Sequence, residues 1–124
     1  MAAVVAAVND LFFGAKLRET AQNLGVALIV APSRQEVLGR VREHCPALLI
    51  VDLHWEACRP LELVRAIKAD PDVRSVQVLG YHAHVRADLR AGAAEAGFDE
   101  VLPRSAFSAR LPEILGRYAS ATEP

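Results

Sequence analysis

The most constraining feature of this sequence is a fivefold alternation between short apolar runs and segments with helical periodicity. The apolar runs have the length of strands and cover residues 2–8, 26–31, 47–51, 76–81 and 100–102. Strands that alternate with helices are typical of parallel sheets built from βαβ units. The pattern therefore predicts an α/β domain of the (βα)5 type.

The composition of the runs predicts their place in the sheet. The first three runs are almost wholly apolar, as expected for central strands covered by helices on both faces. The run at 100–102 has polar neighbours, which favours an edge position. Short connections with right-handed crossovers favour an open doubly wound sheet over a barrel. In such a sheet we expect ligands beyond the carboxyl ends of the strands, at the switch point between the first and third strands.

Five helices are predicted from apolar residues that recur on one face. Their apolar positions are Phe13, Leu17, Ala21 and Leu24; Val37, Leu38, Val41 and Cys45; Leu61, Val64 and Ile67; Leu89, Ala93 and Ala96; and Leu111, Ile114, Leu115 and Tyr118. Ser33 and Glu36 have the spacing of a capping box, and Gly25 and Gly97 are expected at helix ends. Because of Pro112, we expect the regular part of the fifth helix to start near Leu111, with Ser105 or Ser108 as a cap.

Length, composition and charge narrow the class of protein. The 124 residues suit one domain, which we assign to residues 1–119, followed by a short tail at 120–124. A net charge of -1 gives no long-range attraction for nucleic acid or an anionic membrane. The longest apolar runs fall far short of the roughly 20 residues that a transmembrane helix needs. Cys45 and Cys58 have no metal-ligand spacing, so we expect reduced thiols in a cytoplasmic protein.

Polar side chains follow four of the predicted strands. Asn9 and Asp10 follow the first strand, Asp52 the third, His82 the fourth and Arg104 the fifth. Because parallel strands end at the same edge of a sheet, we expect these side chains to meet there. Two carboxylates and an amide suit a partly hydrated Mg²⁺ when a phosphate joins them.

The sequence resembles the receiver domains of two-component response regulators over nearly its whole length. "VVAAVND" is similar to that family's first strand with its acidic pair, and "ALLIVDLHWEACRPLELVRAIKADP" to its third strand, phosphoacceptor aspartate and following helix. From Asp52 the pattern continues without insertion or deletion through "VQVLGYHAH" to "GFDEVLPRSAF". The resemblance implies a flavodoxin-like three-layer sandwich with strand order 2-1-3-4-5. It places Asp52 at the family's phosphoacceptor position, His82 at its hydroxyl position and Arg104 at its lysine position.

The resemblance also implies a chemistry. In the family, an ionised aspartate attacks the phosphorus of a phosphohistidine on a partner kinase, while Mg²⁺ and a lysine neutralise the phosphoryl oxygens. Here Asp10 and Asp52 would offer carboxylates to the metal, Asn9 an amide oxygen and His54 its backbone carbonyl. Because Asn9 replaces an acidic ligand, we expect Mg²⁺ to bind weakly.

Three departures from the family pattern predict an impaired switch. His82 is larger than the usual serine or threonine, and Val101 stands where the family often has a switching aromatic. Arg104 presents a planar fork, and we hypothesise that it pairs with Asp52; the alternative is an arginine that points into solvent.

The leading prediction is a stand-alone pseudo-receiver without an effector domain that binds a protein partner, a sensor kinase or another signalling protein. The main alternative is a Mg²⁺-dependent phosphoacceptor at Asp52, whose only enzyme chemistry would be phosphoryl acceptance and autophosphatase action.

Two further interpretations remain open. His54, His82 and His84 with Asp52 form a less favoured transition-metal set. Trp55 either anchors a partner or folds back over the third helix. For the partner, and for a candidate homodimer, the resemblance points to the face of the fourth helix, fifth strand and fifth helix; neither nucleic acid nor a membrane is expected as a partner.

Overall fold

Five parallel strands form the centre of the structure, and a helix follows each of them. The computed structural model describes residues 3–83 and 87–118, so His84 and the predicted tail at 120–124 lie outside the described residues. The strands are β1 Ala3–Ala7, β2 Ala27–Ala31, β3 Leu48–Asp52, β4 Gln77–His82 and β5 Glu100–Pro103. The helices are α1 Leu11–Leu24, α2 Arg34–His44, α3 Pro60–Ala69, α4 Ala87–Ala96 and α5 Arg104–Gly116, with a short 3-10 helix at Glu56–Cys58.

The strand order is β2-β1-β3-β4-β5, and every pair of neighbouring strands is parallel. This confirms the predicted flavodoxin-like fold. The prediction from composition that residues 26–31 form a central strand is wrong, because β2 lies at the edge of the sheet, as the strand order 2-1-3-4-5 requires. Its apolar character has another cause: α1 and α2 both pack on β2, so four of its five residues are half-buried although, within the described residues, one side has no neighbouring strand.

The core is divided into two layers by the sheet. Along β3, Leu49 and Val51 belong to the apolar cluster beneath α2, α3 and α4, whereas Leu48 and Ile50 belong to the cluster beneath α1 and α5. This follows from the alternation of side chains along a strand. All four side chains are buried, so the molecule has helices on both faces of the sheet.

Helix ends follow the predicted capping signals at three positions. Gly25 ends α1 with a φ of 73°, and Gly97 has a φ of 112° after α4, both in the region that favours glycine. The Ser33 hydroxyl accepts a hydrogen bond of 3.2 Å from the amide of Glu36 at the start of α2. Cys45 departs from its prediction: it is exposed at the end of α2 with a φ of 44° and does not pack on the sheet.

Helix α5 also departs from its prediction, because it is regular from Arg104 and continues through Pro112. Neither Ser105 nor Ser108 caps it; the residue before the helix is Pro103, whose side chain makes no cap. The helix tolerates Pro112 because buried residues anchor it on both sides of the proline, Leu111 before it and Ile114 after it. Within residues 3–83 and 87–118, no helix has the length and apolar character needed to cross a bilayer.

Candidate functional site

The carboxyl ends of β1, β3 and β5 bring three charged residues to one edge of the sheet. Asp10 precedes α1, Asp52 is the last residue of β3, and Arg104 is the first residue of α5. Asn9 lies beside Asp10 and is exposed. The edge is the switch-point region where the strand order predicts a ligand site.

Both carboxylate oxygens of Asp10 accept hydrogen bonds. Its Oδ1 accepts hydrogen bonds from the amides of Phe12 and Phe13, at 2.9 and 3.1 Å, and thereby caps α1. Its Oδ2 accepts a hydrogen bond of 2.7 Å from the guanidinium of Arg104. The hydrogen bond from Arg104, followed by that from the Phe13 amide, lowers the pKa of Asp10, and the same ion pair raises the pKa of Arg104.

The hypothesis that Arg104 pairs with Asp52 is wrong. The guanidinium binds Asp10 and also lies over the ring of Phe13, with its central carbon 4.7 Å from the ring centroid. Since Phe13 is held in the α1 layer, it directs Arg104 toward the cap of α1 and away from β3. The alternative of an outward, fully solvated arginine is not observed either, because the Arg104 side chain is only 40% exposed.

Asp52 is half-buried and less constrained than Asp10. Its Oδ1 accepts a hydrogen bond of 2.9 Å from the amide of His54, which fixes the turn after β3. In the described part of the chain its Oδ2 accepts no hydrogen bond. The carboxylate thus keeps one unused oxygen at the edge of the sheet, while the side chain of His54 is exposed.

His82 does not share this environment. It is 0% exposed, and neither ring nitrogen has a hydrogen-bond partner in the described structure. By the alternation along β4 it lies on the sheet face of Val78, beneath α3 and α4, whereas Tyr81 lies in the layer of α1 and α5. The structure therefore brings Asp10, Asp52 and Arg104 to the α1 and α5 side and buries His82 toward the other layer.

Tyr81 is the site residue that the sequence analysis missed. It is paired with Asp52 across β3 and β4 and lies on the same face. Its ring packs between Phe13 and Phe107, with centroid distances of 4.9 and 5.0 Å. Burial first, and then the charge of Asp52, raise the pKa of its hydroxyl. The available signal was the strand alternation, which places Tyr81 on the face of a residue aligned with it on β3.

The residues at this edge do not fit a Mg²⁺ ion in the observed arrangement. Both oxygens of Asp10 are engaged, and Mg²⁺ requires near-octahedral oxygen coordination. Among the described residues, no three His, Cys, Asp or Glu side chains are grouped closely enough to hold a metal ion. Of the alternative transition-metal set, His54 is exposed and His82 is buried, and His84 lies outside the described residues.

Two surface features lie near the site. Trp55 is half-buried against the cluster beneath α3, which is the fold-back arrangement of the two that the sequence left open. Leu11 and Phe12 are large hydrophobic residues with exposures of 85% and 90%. Phe12 borders a cleft of about 440 Å³ between α1 and α5, where Lys16 donates a hydrogen bond to Ser108.

The sequence of this chain has little similarity to the sequences of known proteins. No family model matches the sequence. An uncharacterized 14.6 kDa protein from the sodA1 3' region of Leptolyngbya boryana is 24% identical over 108 residues, which are 87% of this chain and 82% of that protein.

Several solved structures are similar over almost the whole chain. A response regulator from Hahella chejuensis has a TM-score of 0.85 at 15% identity and covers 100% of this chain and 99% of its own. The chemotaxis response regulator CheY4 of Vibrio cholerae has a TM-score of 0.82 at 18% identity, with 95% and 98% covered. A response regulator from Thermotoga maritima has a TM-score of 0.79 at 21% identity, with 97% and 98% covered. At these identities the similarity is one of fold.

Proposed function

We propose that this chain, which has the fold of the response-regulator receiver domains, is an atypical receiver-like signalling domain that acts by binding a protein partner. In this proposal its metal-dependent phosphoryl switch is impaired. The observation that carries the proposal is the 2.7 Å hydrogen bond between Arg104 and Asp10. An arginine of this chain thus holds the carboxylate that the resemblance assigns to the metal.

Charge and geometry explain why this ion pair opposes a metal. The guanidinium is permanently charged, so it neutralises Asp10 at every physiological pH. Its contact with the Phe13 ring adds to the stability of this position. A Mg²⁺ ion would have to displace Arg104 from Oδ2, and the neighbouring Asn9 offers only a neutral amide in compensation.

The surroundings of His82 support the same proposal. The ring is fully buried toward the layer of α3 and α4, away from Asp10 and Arg104. Val101 is half-buried in the same layer and has no aromatic ring to rearrange. The positions at which the family resemblance implies a moving hydroxyl and a moving aromatic therefore carry neither group.

The proposal is tested by titrating the protein with Mg²⁺, alone and with beryllofluoride, while the amide resonances of Leu53 and His54 beside Asp52 are followed. We expect no saturable change in the wild type. Arg104→Lys should bind Mg²⁺ more tightly, because a flexible ammonium leaves Asp10 more readily than a guanidinium that also packs on the Phe13 ring. A saturable response of the wild type that Asp52→Asn abolishes contradicts the proposal.

A sensor kinase or another signalling protein is the proposed partner, and Leu11 and Phe12 supply an exposed apolar contact for it. The face of α4, β5 and α5 remains the proposed surface for a homodimer, which light scattering at high concentration would test. Partner capture from the native source should be equal for the wild type and Asp52→Asn. A loss of capture on this substitution would indicate that the partner reads the state of Asp52.

The second candidate function is a phosphoacceptor at Asp52. It is favoured by the unused Oδ2 of Asp52, which lies at the half-exposed edge of the sheet. Incubation with acetyl phosphate and Mg²⁺, followed by intact-mass measurement of the wild type and Asp52→Asn, separates the two functions. An adduct that requires Asp52 supports the second candidate.

A further inference from the structure

The Tyr81 hydroxyl is a buried polar group that the proposed function does not use. Tyr81 is 1% exposed, and its Oη has no hydrogen-bond partner in the described part of the structure. Burying a hydroxyl without a partner costs folding free energy that a phenylalanine of the same shape would avoid. A hydroxyl at such a position therefore indicates a partner reached by a small side-chain movement or through water.

The aromatic neighbours fix the ring and offer no acceptor. Phe107 is stacked on Tyr81 with an angle of 7° between the rings, and Phe13 packs on it at a tilt. All three rings belong to the buried cluster beneath α1 and α5. The ring of Tyr81 thus has little freedom to turn, and its hydroxyl must find a partner at the edge of the sheet.

Asp52 is the acceptor that remains at this edge. It is aligned with Tyr81 across neighbouring parallel strands, so the two side chains leave the same face of the sheet at adjacent positions. Asp10 is farther along the sheet, because it follows β1, which β3 separates from β4, and both of its oxygens already accept hydrogen bonds. Asp52 has one oxygen that no described group uses.

We infer that Tyr81 is a positioning residue for Asp52, whose carboxylate it holds through a hydrogen bond that is direct or passes through one water molecule. An unused donor and an unused acceptor on the same face are then satisfied together. The bond limits the rotation of the Asp52 side chain and fixes the direction of its carboxylate at the edge of the sheet. The inference rests on the proposed function only in taking Asp52 as the group that the site presents.

A double-mutant cycle on the unliganded protein tests this inference. Tyr81→Phe removes the hydroxyl, and Asp52→Asn removes the charge but keeps the shape of the side chain. Urea unfolding of the wild type, both single variants and the double variant gives the coupling between them. We expect the unfolding equilibrium constants to deviate from multiplicative behaviour by about threefold to tenfold. Multiplicative effects overturn the inference.

The chain supplies a matched control, because it has only two tyrosines. Tyr118→Phe combined with Asp52→Asn should show no coupling. In protein labelled with ¹³C at the tyrosine Cζ, Tyr118→Phe assigns the two resonances. Asp52→Asn should move the Tyr81 resonance and leave that of Tyr118 in place, and an unmoved Tyr81 resonance overturns the inference. The cycle uses no metal, phosphoryl donor or partner, so its failure and that of the proposed function are separate results.

Discussion

At the scale of the residue, Asp10 joins the local structure of α1 to the chemistry of the site. One oxygen caps the helix and the other receives Arg104. Both interactions favour the ionised carboxylate, so its pKa in the folded protein lies below the value of about 3.9 for an unfolded chain. The carboxylate therefore stabilises the fold in a way that depends on pH.

The first prediction concerns this pH dependence. Because the folded pKa is depressed, the stabilisation is fully present above about pH 4 and is lost as the pH falls through the folded pKa. Asp10→Asn should lower the free energy of unfolding by about 1 kcal/mol near pH 7, mainly through the lost ion pair and the lost negative charge at the start of α1, since asparagine still caps a helix. Urea unfolding between pH 5 and 2.5 should show a smaller loss for this variant than for the wild type.

Arg104→Met provides the complementary variant for this prediction. It removes the cation and leaves the acid with its cap, so part of the pKa depression remains. Its pH dependence should fall between those of the wild type and Asp10→Asn. Three indistinguishable curves would show that the ion pair does not contribute to stability.

The second prediction concerns the two free cysteines. Burial raises the pKa of the Cys58 thiol to about 11, so at pH 8 it is protonated as well as inaccessible. Cys45 is exposed. Labelling of the native protein with Ellman's reagent should modify one thiol, and labelling in urea should modify both. Native Cys45→Ser should not react, whereas native Cys58→Ser should react like the wild type; rapid labelling of Cys45→Ser would contradict the prediction.

At the scale of the element, the packing of β4 against its neighbours depends on Gly80, which has no side chain. A Cβ on Gly80 would lie 2.7 Å from the ring of Phe98 and 3.3 Å from the side chain of Leu53. Phe98 is buried between α4 and β5, and Leu53 follows Asp52 directly. The close packing at Gly80 thus fixes the position of Leu53, the first residue of the loop after Asp52, on the sheet.

The third prediction follows from this packing. Gly80→Ala should lower the free energy of unfolding by about 1–3 kcal/mol, because the ring of Phe98 has to move within a packed core. Gly39→Ala in α2 is the matched control: its Cβ meets no atom of the described residues within 4 Å, and alanine favours the helix by about 0.5–1 kcal/mol. Urea unfolding should show opposite signs for the two substitutions. Equal effects would contradict the packing argument.

The elements themselves could be predicted because each apolar run has the length of a strand. The edge position of β2 could not be predicted from its composition, which reflects cover by α1 and α2 and carries no information on strand neighbours; only the strand order implied by the family resemblance indicated it. The regular start of α5 at Arg104 was hidden by Pro112, whose lost hydrogen bond is offset by tertiary packing that no local signal reveals.

The meeting of Asp10, Asp52 and Arg104 could be predicted from topology alone, because parallel strands end at one edge. The choice of Asp10 as the partner of Arg104 could not, since it depends on the cap of α1 and on the position of the Phe13 ring. Tyr81 was hidden among apolar strand residues. Its importance arises from its alignment with Asp52, which requires the register of β3 and β4.

At the scale of the whole molecule, the sheet separates two sets of groups. Asp10, Arg104, Phe13 and Tyr81 are connected on the side of α1 and α5 by the ion pair, the ring contact and aromatic packing. His82 lies toward the opposite layer. A change at the edge of the sheet therefore acts first on the packing of α1 and α5, where Leu11 and Phe12 are exposed.

The fourth prediction uses the stability of the whole fold to report binding at this edge. A ligand that binds only the folded state raises stability by about 2.7 kcal/mol at 100 times its Kd, which for a domain of this size shifts Tm by several degrees. Since Arg104 occupies Oδ2 of Asp10, millimolar Mg²⁺ should leave the Tm of the wild type unchanged. Arg104→Met frees this oxygen beside Asp52, so the same Mg²⁺ should raise its Tm.

Differential scanning calorimetry with and without Mg²⁺ measures this effect, and NaCl at equal ionic strength separates site binding from screening of surface charge. The double variant Asp10→Asn, Arg104→Met should lose the gain, because the freed carboxylate is then absent. A Mg²⁺-dependent rise of the Tm in the wild type as large as that in Arg104→Met would mean that Mg²⁺ displaces the guanidinium from Asp10 with no loss of binding free energy. In that case the ion pair would be a resting arrangement of a functional metal site, and the second candidate function would take the place of the first.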